Sequence, residues 1–244
     1  MDTMDSGPHD PTVGDEPTAA DEPVGPAAFP PLPSRLLAVF MSPGRLMDQL
    51  AADPKWVGAL LVSALVVGVS MVLIPVDLFM EAQRQAVLER GGELSDVPET
   101  VEQAMRIVIP AGAVLSSLLF SFIFAGIYTF IFAFVLGDEG RYKQYLAVLS
   151  HAWFIAAVFG LAVTPLRIST GDPQFTLNLA SFFYFLPDGY FLNVLRVLDL
   201  TQVWSTLVIA QGAHAIDARR SFGSAAAILL AIFLGVAMIA ARFV

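Results

Sequence analysis

Residues 107–136 read IVIPAGAVLSSLLFSFIFAGIYTFIFAFVL. The run holds thirty residues without one acidic or basic side chain, and Pro110 stands close to its start. A helix needs about 20 apolar residues to cross a hydrocarbon core of about 30 Å. This stretch is longer than a straight crossing needs, so it should tilt or protrude. Four more apolar runs accompany it, at about 56–76, 145–165, 197–216 and 222–244. The third and fourth of the five runs in chain order carry more polar residues than the others. The expected fold is an all-α membrane protein, with five transmembrane helices in one bundle over residues 34–244. Composition agrees: of 244 residues 56% are hydrophobic and 14% charged, with a mean hydropathy of +0.69. A soluble domain carries roughly 25% charged residues.

Upstream of the first run the chemistry changes. Residues 1–33 hold eight of the sixteen prolines and seven acids, and no Lys or Arg precedes Arg35. Such a segment has too little apolar surface to offset its chain entropy, so it reads as a disordered acidic tail. It lacks the basic start and apolar stretch of a secretory signal. Residues 34–52 then place Leu36, Leu37 and Phe40 before Ser42-Pro43, a cap followed by a first-turn proline. Leu46, Met47 and Leu50 follow at helical spacing. That pattern suits a helix lying in the membrane interface ahead of the first span, and Asp53-Pro54 repeats the start signal.

The connections differ in kind. Residues 77–106 are long and acidic, and Gly91-Gly92 with Pro98 should split them into two helical pieces. Residues 137–144 and 217–221 are short. Residues 166–196 are long and rich in aromatic side chains, as in an interfacial belt or a re-entrant piece. Arg35, Arg45, Lys55, Arg141, Lys143, Arg219 and Arg220 collect on the N-terminal side, in short segments beside spans. Arg84, Arg90, Arg106, Arg167, Arg196 and Arg242 fall on the other side, most of them in long acidic loops. The positive-inside rule then puts the N-terminus in the cytoplasm and the C-terminus outside.

Charge and motifs exclude several classes. Net charge is −9 and cysteine is absent, which removes disulfides, thiolate metal sites and cysteine nucleophiles. Beyond the tail, fifteen acids nearly balance thirteen bases, so no basic footprint for nucleic acid exists. No nucleotide-binding loop, serine-hydrolase elbow or zinc-protease motif occurs. His151 and His214 come without a carboxylate–histidine motif and make a thin case for a metal. No catalytic residue, cofactor or metal is expected.

Two patterns remain. Ser117, Ser121 and Ala125 recur at four-residue spacing, as do Ala227, Ala231 and Gly235; such rows let helix backbones approach in lipid. They fit packing inside one bundle or a dimer interface. In the fourth run, Arg196, Asp199, Gln202, Thr206, Ala210, Ala213, His214 and Asp217 fall within roughly 120° on one helix. Polar groups in hydrocarbon must face protein or water. The stripe should therefore face the bundle interior, with Arg196 and Asp199 paired at i,i+3. It fits either a hydrogen-bonded seam between helices or the lining of a solute or proton path.

Four stretches resemble one known family. They are Ser42-Pro43 through Asp53-Pro54-Lys55-Trp56, then Arg141-Tyr142-Lys143-Gln144-Tyr145 leading into Ser150-His151-Ala152. Leu198-Asp199-Leu200 with Val203-Trp204 follows, and last comes Gly212 before a short basic turn. Their order and spacing across about residues 40–244 resemble the bacterial branch of the Yip-one domain family, five-span membrane proteins. The resemblance implies that fold and an inner (cell) membrane location. Eukaryotic members look like trafficking factors whose cytoplasmic N-terminus contacts small GTPases and partner Yip proteins. The expected function is a non-enzymatic scaffold that organises membrane-protein partners or a second copy, or shapes the lipid bilayer. The alternative is a small permease or channel using the polar face of the fourth span.

Overall fold

A computed structural model describes residues 29–93, 98–183 and 185–243. The expected tail lies mostly outside the described residues, but Phe29 is already packed against the core. Its ring lies 4.1 Å from Lys55 Nζ and 5.1 Å from Arg35 Cζ. Helix α1 (Leu32–Met41) stops at Ser42 because the residue before a proline is driven out of the helical region. Pro43 then opens α2 (Pro43–Ala52) as its first residue. Asp53-Pro54 ends α2, and α3 (Val57–Leu73) follows.

Ile74-Pro75 breaks the chain again, and α4 (Val76–Glu89) leaves α3 at 79°. Two glycines stop α4, with Gly91 in the left-handed region at φ 72°. Pro98 caps α5 (Glu99–Thr129), whose first turn carries Glu99 and Glu102 at the positive end of the helix dipole. A π-helical segment (Phe130–Val135) extends α5; it buries Phe132, and its Phe132 carbonyl accepts from Asp138 N–H at 2.9 Å. Then come α6 (Tyr142–Ala162), α7 (Thr164–Thr170), a 3-10 turn (Leu179–Phe182), α8 (Tyr190–Val197), α9 (Leu200–Ile216) and α10 (Phe222–Ala240). No β-strand occurs among the described residues.

Among the described residues three continuous helical stretches are long and apolar enough to cross a membrane: 99–135, α6 and α10. The bent pair α3 and α4 makes a fourth if it counts as one span. The run expected at 107–136 thus begins eight residues earlier, because Glu99 and Glu102 cap it outside the apolar part. Helix α6 is the axis of the bundle. It packs against α1, α2, α3, α5 and α9, and ten of its residues are buried, from Tyr145 to Ala157. By contrast, only 17% of the most apolar window of the α5 stretch and 22% of that of α10 are buried, against 56% for α6.

One expectation is corrected here. The apolar face of α2 does not lie open to the membrane interface. Leu46, Met47 and Leu50 are buried, in the same core cluster as Ala210 and Ala213 of α9. Hydrophobicity drives this face out of water in either case; the small side chains of α9 give it a protein partner instead of lipid. Gln144 Nε2 donates to Ala51 O at 2.7 Å and ties the end of α2 to the start of α6.

Candidate functional site

The two short loops meet in an ionic network around two buried carboxylates, Asp138 and Asp217. The Arg220 guanidinium donates two hydrogen bonds to Asp138, from Nε at 3.0 Å and from Nη2 at 2.6 Å. Asp138 is buried, its side chain 6% exposed, and Arg220 is partly buried at 17%. Next to them Asp217 accepts from Glu139 N–H at 3.0 Å and from Arg219 through N–H, Nε and Nη2 at 2.7–3.2 Å. His214 Nδ1 donates to Arg220 O at 2.6 Å, so the α9 end is tied to the same turn. The bidentate fork fixes orientation as well as charge.

The Arg219 side chain, then the Arg219 and Glu139 amides, hold the Asp217 carboxyl well below the usual carboxylate range. A depressed carboxyl contributes stability above its unfolded pKa of about 4, and that contribution is lost as pH falls through the folded value. In detergent, the melting temperature of the wild-type chain should fall on acidification below about pH 4. Asp217→Asn should start lower at neutral pH and show a shallower acid decline. Equal acid slopes in the two proteins would contradict the network.

Close contact between α6 and α9 depends on Gly212. A Cβ there would run into the Val148 side chain, so only glycine lets the two backbones come this near. On the other flank of α6, Arg35 is buried beside His151. Its Nη1 donates to Lys55 O at 3.1 Å and reaches His151 Nε2 at 3.5 Å, while His151 Nδ1 donates to Ala147 O at 2.8 Å. The Arg35 Nε hydrogen has no partner among the described residues. These contacts occupy both nitrogens of His151, and His214 Nδ1 is engaged in the loop network.

A cavity of about 280 Å³ lies among α3, α5 and α6. Ser63 and Ser70 line it from α3, Ser117 and Ser121 from α5, and Ser150, Trp153 and Gly160 from α6. Arg167, just past α6, and Gln202, in the first turn of α9, also line it. The hydroxyl hydrogens go to the walls. Ser63 donates to Ser150 O, Ser117 to Val114 O, Ser121 to Ser117 O and Ser150 to Leu146 O, at 2.6–3.4 Å. Ser70 lies 3.3 Å from Gly160 O and 3.0 Å from Thr164 Oγ1. Arg167 Nε donates to Phe175 O at 3.0 Å. Among the described residues its guanidinium has no carboxylate within ion-pair distance. Burial lowers its pKa, against the opposing pull of Asp199 and Asp172.

The expected polar stripe is broken. Arg196 stands on α8 and Asp199 is the N-cap of α9, so the two are not on one helix. Arg196 pairs with Asp188 at 3.0 Å and with Asn193, not with Asp199. Asp199 Oδ1 accepts from Thr201 N–H, Thr201 Oγ1 and Gln202 N–H at 2.6–3.2 Å. An aspartate at this position serves the orphan amides of a helix start better than it serves an i,i+3 partner. Gln202 reaches the cavity, whereas Thr206 is buried in the packing of α9 and does not line it. The two small-residue rows also part company. Ser121 and Ala125 are buried within the chain, while Ala227 and Ala231 of α10 are exposed and Gly235 is half-buried. Sequence reading missed the serines of α3, Ser63 and Ser70, though their seven-residue spacing puts them on one face.

A family model of the Yip1 domain matches residues 37–241. The chain belongs to the Yip1 domain family. Comparisons with curated proteins and with solved structures gave no match. The matched span runs from the middle of α1 to the end of α10, and it takes in both loops and the cavity. Within this Yip1 domain the four sequence stretches that carried the resemblance converge on α6 and α9. Gln144 meets the end of α2, Gly212 meets Val148, and Trp204 packs edge-on against Phe40 with centroids 5.8 Å apart.

Proposed function

We propose that this Yip1-domain membrane protein is a non-enzymatic scaffold that gathers partners along the outward faces of α5 and α10. In this reading α3, the α5 stretch, α6, α9 and α10 all cross the bilayer of a bacterial inner membrane, with the N-terminus in the cytoplasm. Helix α9 has 17 residues and reaches about 25 Å, so its capped ends lie near the interfaces. The observation that carries the proposal is the uneven burial of the apolar helices. The bundle closes around α6 and leaves most of α5 and α10 turned outward. On α10 the outward side carries Ala227 and Ala231, which a neighbouring helix can approach closely.

A photo-crosslinking residue at Ala231, in native membranes, should capture a discrete protein adduct or a second copy. The same residue at Leu229, which is buried on the other side of α10, should capture none. Adducts at neither position, together with solute flux in liposomes that Gln202→Ala abolishes, would replace the scaffold with a permease.

A further inference from the structure

The cavity among α3, α5 and α6 has the shape and chemistry of a slot for one hydrocarbon chain. Its lining runs from the level of Ser150 to that of Gly160 on α6, ten residues or about 15 Å at the helical rise. A cavity of about 280 Å³ with that reach has room for a stretch of one alkyl chain. Leu60, Ala64, Val67, Met71, Ala156 and Ala157 supply apolar wall. Hydrocarbon against the serines strands no donor, because their hydroxyl hydrogens already have oxygen partners within the wall. The Gly160 end is different. There Arg167 offers guanidinium hydrogens beyond the one given to Phe175, and Gln202 lines the same cavity with a side-chain amide that makes no hydrogen bond among the described residues. The nearest acid on α9, Asp199, is engaged in capping its helix. A cation at the end of an apolar slot selects an amphiphile with an acidic head.

We propose that the Yip1 domain binds one acyl chain of an acidic phospholipid in this cavity, with the phosphate held by Arg167 and Gln202. The site is separate from the outward face of α10, and it stands or falls without the scaffold reading. Trp153 in the wall is a built-in reporter. The test uses the full chain with Trp56→Phe and Trp204→Phe, leaving Trp153 alone, reconstituted in phosphatidylcholine vesicles. Phosphatidic acid with brominated acyl chains is compared with phosphatidylcholine brominated in the same way, at equal mole fraction.

Quenching of Trp153 should saturate at a lower mole fraction of the acidic lipid. Arg167→Gln removes a charge-assisted contact and should weaken that preference about tenfold, while Arg167→Lys should keep most of it. Free inorganic phosphate should not compete, which separates a lipid from an anion site. Equal quenching by the two lipids would overturn the proposal and assign Trp153 to bulk bilayer. Strong quenching by aqueous acrylamide with none by brominated chains would overturn it too, and make the cavity a water-filled one.

Discussion

Replacing Arg220 with methionine should cost the folded chain about 3 kcal/mol, because it leaves the Asp138 carboxylate buried without its counter-charge. The loss is larger than for a surface ion pair, whose typical worth is below about 1 kcal/mol. The Asp138 side chain is 6% exposed, so little water reaches it to replace the lost guanidinium. The measurement is thermal unfolding in mild detergent, completed as a double-mutant cycle. Arg220→Met with Asp138→Leu should recover a large part of the loss, since an apolar pair of similar size often replaces a buried ion pair at little cost. If the single change proved neutral, the two loops would not be held by this pair. The control is Arg106→Met on α5, an exposed arginine whose Glu102 partner is half-exposed. That change should be nearly silent.

Gly212→Leu should be the second severe change. The side chain would have to enter space filled by Val148, forcing α9 off α6 along a closely packed seam of the bundle. Overpacking in a core costs about 1–3 kcal/mol, and more when the neighbour is fixed from several sides. Val148 is fully buried and cannot swing aside. The expected result is a sharp drop in monodisperse protein on size-exclusion chromatography. Gly212→Ala should be milder, and Val148→Ala in the same chain should relieve it. Gly223→Leu is the comparison, because nothing stands within 4 Å of a Cβ at that glycine. If Gly212→Leu and Gly223→Leu behave alike, close helix approach is not what Gly212 provides.

The parts of this fold that were legible in the chain are the ones decided locally. Ser42-Pro43 and Asp53-Pro54 end and start helices by backbone geometry alone, and the structure breaks there. Gly91-Gly92 and Pro98 part α4 from α5 for the same reason. What was not legible depends on which surface meets which. The apolar face of α2 has the same pattern whether it lies on lipid or on α9; only the packing decides. The rows Ser117–Ser121–Ala125 and Ala227–Ala231–Gly235 have identical spacing, yet one turns inward and the other outward. Asp199 was open to a better reading. An Asp followed by polar residues at the second and third positions is a helix-start pattern, and it competes with the 3.6-residue period that sets the same residue on a helix face. In the sequence Arg35 is one positive charge among seven on its side of the chain. Nothing local marks it as the buried neighbour of His151, which stands 116 residues away.

The wide turn at 130–135 sets the direction in which the chain leaves the bundle. A π-type turn takes in about one more residue than an α-turn, so everything after it is rotated by about 100° from where an uninterrupted helix would aim it. Asp138 therefore owes its azimuth to the Phe130–Val135 segment as much as to its own loop. The long helix and the ionic clasp keep separate phases, joined by a local slip in winding.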